Sequence, residues 1–231
     1  MSTSEVLRFA DWTTPVAPAA REVISRLPED DEGRPPLLFV AGPGRAASVF
    51  AEHWLGHAAG RGFSGYALTA RPGGDMRALV HDTVQTAASL PRRTVLIGHG
   101  AGALVVAKAL SRYPARAAVL AAPRLTPRFA PFARPGVSRF APSARPGVSR
   151  FAPFGKPALP RPAGRPPVLV LGSPDDRVVG RAALDRAAAV YGGSPLLFPG
   201  MGHDLMLEDG WAEPIDAILD WLLKELPVPG H

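Results

Sequence analysis

The short apolar run Thr94-Val95-Leu96-Ile97 passes straight into Gly98-His99-Gly100-Ala101-Gly102, after which residues 101–113 carry a helical pattern. Three glycines in five residues between a strand and a helix fix a sharp turn and let its backbone come close to neighbouring chain. In a parallel sheet such a turn sits at the C-terminal end of a strand, where ligands collect. On its own it also suits phosphate binding at a helix N-terminus, so the rest of the chain has to decide between uses.

The flanking pattern alternates short β-rich runs with longer helical ones. Strands are expected at 36–40, 65–69, 117–120, 168–171 and 196–198. Helices are expected at 48–61, with Ser48 as N-cap, and at 77–90, with Leu79, Val80, Val84 and Ala87 on one face. Two more are expected at 180–191 and 211–226. This order predicts an α/β fold, a mainly parallel sheet covered by helices on both faces, in one domain spanning 1–231.

One segment breaks the rhythm. Residues 124–165 hold nine basic residues and no acidic one, whereas the rest of the chain carries 17 basic against 20 acidic. The formal charge of +6 therefore belongs to this segment and not to the fold, which argues against a general nucleic-acid-binding protein. Within it, Ala133-Arg134-Pro135-Gly136-Val137-Ser138-Arg139-Phe140-Ala141-Pro142-Ser143 is followed by a second copy, residues 144–154, that differs only in its last residue, Phe154. Prolines at this density block helices and ladders alike. The segment reads as a proline-rich insertion, or as a lid over a pocket. Its recurring Arg-Phe pairs, Arg128-Phe129, Arg139-Phe140 and Arg150-Phe151, would suit peripheral contact with an anionic membrane or a single strand of nucleic acid.

Two further loops complete the glycine turn. After strand 168–171 comes Gly172-Ser173-Pro174-Asp175-Asp176-Arg177-Val178, and after strand 196–198 comes Gly200-Met201-Gly202-His203-Asp204-Leu205. The chain thereby presents a strand–turn–helix, an acid loop and a histidine loop in the order nucleophile, acid, histidine. In that order and context it resembles the α/β-hydrolase superfamily, in its bacterial lysophospholipase and carboxylesterase-like branch, over residues 35–226 apart from the insertion. The insertion stands where that family carries its cap or lid.

The resemblance implies a Gly-x-Ser-x-Gly nucleophile elbow at 98–102, an acid at Asp175 with Asp176 one residue away, and a base at His203. Here Gly100 occupies the nucleophile position. Ser89, Thr94 and Ser111 lie on other elements and do not match it. The resemblance also implies two oxyanion donors, the backbone N–H groups of Ala101 and of the third residue in the loop Ala41-Gly42-Pro43. Proline has no N–H. Two departures thus point away from serine chemistry.

The expectation is a homologue of ester hydrolases and lysophospholipases with a degenerate triad, a pseudoenzyme that binds a small apolar or acyl ligand or a protein partner. The alternatives are a hydrolase or lyase using the His203–Asp175 dyad as general base, or an active esterase altered at position 100. No cofactor is implied. The other histidines, His53, His57, His81, His99 and His231, form no metal constellation, although His53 and His57 lie one helical turn apart. His99 matches the residue that precedes the nucleophile in the family's Gly-His-Ser turn, where its role is structural. The absence of cysteine removes disulfides and thiolate chemistry. With neither a signal-peptide pattern nor a run of apolar residues long enough to span a bilayer, a cytoplasmic location is expected.

Overall fold

A computed structural model describes residues 15–17, 19–125 and 162–226. Most of the basic repeat segment, 126–161, lies outside the described residues, and with it the lid and membrane-contact expectations. The elements run β1 (Val23–Arg26), β2 (Leu37–Val40), α1 (Ser48–Ala51), α2 (Trp54–Gly60), β3 (Gly65–Leu68), α3 (Met76–Ser89), β4 (Val95–His99) and α4 (Ala101–Ala109). They continue with β5 (Ala117–Ala121), β6 (Val168–Gly172), α5 (Arg181–Val190), β7 (Leu196–Leu197) and α6 (Ala212–Glu225). The strands form one seven-stranded sheet in the order β1-β3-β2-β4-β5-β6-β7. Only β1 is antiparallel; it pairs with β3 at the edge.

The central strands are apolar but for His99 at the end of β4, because both faces of the sheet are covered. Leu37, Phe39, Val95, Ile97, Val119 and Leu171 face one way, into a core shared with Trp54 of α2 and Ile215, Ile218 and Leu222 of α6. Their chain neighbours Leu38, Val40, Leu96, Leu120 and Val170 face the other way, against Leu79 and Val84 of α3, Val105 and Val106 of α4, and Ala187 of α5. The period of two along each strand thus serves two cores. Among the described residues no helix is long and apolar enough to cross a membrane.

Several elements depart from the pattern-based expectation. Helix 48–61 divides at His53 (φ −130°, ψ −56°) into α1 and α2, although the His57 N–H still donates to the His53 carbonyl. Phe39, Phe50 and Trp54 pack together across this region, with ring centroids 5.2–6.2 Å apart. Ser48 is not the N-cap. Ala47 holds that position without a side-chain cap, and its N–H donates to Thr69 Oγ1. By contrast Asp75 caps α3 by accepting from the Ala78 N–H at 2.8 Å. Strand β1 is additional; three of its four residues are exposed, so it leaves no apolar alternation in the sequence.

Candidate functional site

The turn after β4 is built from three glycines with different tasks. A Cβ on Gly98 would lie 2.6 Å from the Gly102 carbonyl oxygen, and one on Gly102 would lie 2.1 Å from the Val40 carbonyl oxygen. These two let β4, α4 and β2 meet at backbone distance. Gly100 differs: it stands at φ +57°, ψ −117°, a conformation that side chains rarely adopt and that costs on the order of 1–3 kcal/mol when one is present. It is pinned from both sides, its N–H donating to the Ala121 carbonyl at 2.9 Å and its carbonyl accepting from the Arg124 N–H at 3.0 Å.

The histidine loop reaches this turn. A Cβ on Gly100 would lie 3.2 Å from His203 Nε2 and 3.8 Å from its Cε1, and no other described atom beyond the chain neighbours comes within 4 Å. On the far side of the ring, His203 Nδ1 meets Asp176 Oδ2 at 2.7 Å. The Asp176 side chain is wholly buried, while that of His203 keeps 16% exposure. The other Asp176 oxygen, Oδ1, accepts from the Val178 N–H, which sets the rotamer of the carboxylate. With Nδ1–H donating to Asp176, the lone pair of a neutral imidazole sits on Nε2 and faces Gly100.

Here the sequence-based register is corrected. The expected acid, Asp175, is exposed, and its Oδ2 accepts from the Gly200 N–H at 2.7 Å. The loop turns at 174–175 and bends over 177–179, and the shift of one residue recurs three positions on. Val179 is buried at 3% exposure while Val178 is 53% exposed. Asp175 therefore ties the acid loop to the histidine loop, and Asp176 holds the imidazole.

His99, the residue before Gly100, braces the same loop. Its Nε2 contacts the His203 carbonyl oxygen at 2.9 Å, and burial is the main cause that lowers its pKa to about 4. It is therefore neutral at pH 7, with its proton on Nε2. Asp204 follows His203 and takes an ion pair from Arg45 at 2.7 Å, which links the histidine loop to the loop after β2. Asp204 Oδ1 is buried without a hydrogen-bond partner among the described residues, 3.8 Å from His99 Nε2.

The loop after β2 and the start of α4 lie against each other. Gly42 packs against α4, where an added Cβ would lie 3.1 Å from Ala101 Cβ and 3.2 Å from Gly102 N. Pro43 follows Gly42 and offers no N–H. Ala101 opens α4, whose N-terminus has no side-chain cap, so its first-turn N–H groups are available as donors. His99, His203 and Asp204 each bring one potential metal-ligand atom within 4.8 Å of the others. His99 Nε2 is committed to a carbonyl, which leaves His203 Nε2 and Asp204 Oδ1, too few for a structural cation site. His53 and His57 are engaged separately: His53 stacks on Trp211 at 4.6 Å, and His57 pairs with Asp216 at 2.8 Å. Ser89, Thr94 and Ser111 each donate to a backbone carbonyl.

No family model matches the sequence, and no curated protein matches it. Solved structures do. Esterase 2 of Thermogutta terrifontis, phosphonylated by sarin, superposes with a TM-score of 0.64 at 18% identity, over 91% of this chain and 92% of that one. A monoacylglycerol lipase from Paleococcus ferrophilus gives 0.64 at 18% identity, over 90% and 100%. Est1E of Butyrivibrio proteoclasticus gives 0.64 at 14% identity, over 90% and 95%. With the sheet order described above, these likenesses show that the chain has the α/β-hydrolase fold.

Proposed function

We propose that this chain is a carboxylic-ester-hydrolase relative that binds a small acyl or apolar ligand at the elbow and does not run acyl-enzyme chemistry there. The carrying observation is the pairing of Gly100 with His203: the elbow keeps its backbone conformation, and Nε2 stands 3.2 Å from the place of a missing Cβ. Base and acid remain in hydrogen-bonded order, while the oxygen that would form the acyl bond is absent. Pro43 supports the same conclusion, because a serine restored at 100 would still lack one oxyanion donor.

A fluorophosphonate probe, read by intact mass, tests this reading. The parent is expected to stay unlabelled and Gly100→Ser to gain one adduct that disappears on a further His203→Ala change. Labelling of the parent that depends on His203 would contradict it.

A further inference from the structure

We propose that, with no side chain at Gly100, a water hydrogen-bonded to His203 Nε2 is the attacking group, so that His203 drives direct hydrolysis of a bound carboxylic ester without a covalent intermediate. This rests on the reading of Gly100 given above and adds a reaction to it.

The geometry is that of a general base facing a residue without a side chain. A Cβ on Gly100 would lie 3.2 Å from His203 Nε2, so the nitrogen faces a residue without a side chain, and a water beside that glycine, about 2.7–3.2 Å from Nε2, makes the hydrogen bond that a general base needs. Among the described residues beyond its chain neighbours, no side chain other than that of His203 comes within 4 Å of the Cβ position. The tautomer is fixed from behind, because Asp176 is fully buried and accepts from Nδ1–H. The ring is fixed along the chain, because His99 holds the His203 carbonyl. Ala101, at the uncapped start of α4, supplies an N–H toward which negative charge on a carbonyl oxygen can develop.

The step balances with these groups alone. The water oxygen forms a bond to the ester carbonyl carbon as the C=O π pair moves onto oxygen, and the water proton passes to His203 Nε2. Collapse of the tetrahedral species breaks the bond to the alcohol oxygen, which takes the proton back from Nε2. A carboxylic acid and an alcohol leave, and the imidazole is neutral again. A positioned general base is worth about 10²–10⁴ in rate. Loss of one oxyanion donor at Pro43 removes about 10²–10³ of what an intact site would add. The expected turnover is therefore modest, about 10²–10⁴-fold above buffer for an activated ester.

The experiment uses the full chain with 4-nitrophenyl acetate and phenyl acetate in buffer containing methanol. Turnover above buffer is expected with no burst of nitrophenol and no acetyl adduct by intact mass. His203→Ala, shown folded by circular dichroism, is expected to lose at least tenfold, and Asp176→Asn to lose activity in the same assay. Because attack and leaving-group departure share one tetrahedral species, the ratio of methyl acetate to acetate should differ between the two esters. Equal ratios, which report a common acyl intermediate, would overturn the proposal. A folded parent at the buffer rate, or turnover that survives His203→Ala, overturns it too and leaves the reading of Gly100 standing. A burst with an acetyl adduct would overturn both.

Discussion

Asp176 Oδ2 and His203 Nδ1 meet at 2.7 Å beneath a turn that has no side chain to activate. The carboxylate has no exposed surface, so removing its partner or its charge is costly. Hydrogen bonds to charged groups contribute about 1.5–3 kcal/mol. Asp176→Ala is expected to lower unfolding free energy by at least that, in urea titrations at pH 7. Asp175→Asn, at an exposed position, is expected to cost less than half as much. Equal costs would return the buried-acid role to both residues.

Position 100 should respond to any Cβ. Gly100→Ala places a methyl carbon where φ is +57° and 3.2 Å from His203 Nε2. A loss of about 1–3 kcal/mol follows from the backbone alone, measurable as a lower urea midpoint with an unchanged slope. A neutral result would show that the turn relaxes away from this conformation once glycine is replaced.

Gly102 is a stricter case. Its Cβ would stand 2.1 Å from the Val40 carbonyl oxygen, an obstacle of backbone and not of a movable side chain. Gly102→Ala is expected to destabilise by more than about 4 kcal/mol, the range reached only by severe steric or burial defects. Expression with circular dichroism checks this, and a cooperatively folded variant at parental stability would contradict the contact between β2 and α4.

His99 sets a pH limit. Its folded pKa, lowered to about 4 mainly by burial, lies below the ordinary value near 6.5. The unfolded chain therefore binds more protons between these values, and stability falls as pH drops from about 6.5 toward 4. The full window is worth roughly 3 kcal/mol. Urea midpoints measured from pH 7 to pH 4 should show this decline, and His99→Gln should flatten it while lowering stability at pH 7.

Replacing Pro43 tests the oxyanion loop on a nucleophilic background. In Gly100→Ser, the added change Pro43→Ala returns an N–H at 43 and is expected to raise ester turnover by up to about 10²–10³. Steady-state rates with 4-nitrophenyl acetate decide this. No gain would mean that the loop, held by the Arg45–Asp204 ion pair, keeps that N–H turned away from the ester.

The parallel sheet was legible because β2, β4 and β5 are buried on both faces and, up to His99 at the end of β4, carry no polar side chain. Strand β1 was not, since at an exposed edge only Ile24 packs inward. The break at His53 was hidden because Phe50 and Trp54 keep helical spacing across it. At the site, loop order and glycine spacing pointed to the turn at 98–102 and to the histidine loop, and the structure brings His203 to Gly100. The choice between Asp175 and Asp176 depended on which of two adjacent carboxylates turns inward, and identical residues carry no signal for that. The ion pair from Arg45 to Asp204 joins residues 159 positions apart, a contact that no local pattern announces.

Two backbone hydrogen bonds, to Ala121 and from Arg124, hold the turn at Gly100. Neither involves a side chain at that position. The turn is thus a socket whose shape belongs to the surrounding strands, and its occupant is set by a single residue. A hydroxyl, a thiol or a carboxylate introduced there would be presented to the same imidazole from the same backbone. Chemistry at this site can accordingly be exchanged one residue at a time, at the cost of local strain and without redesign of the scaffold.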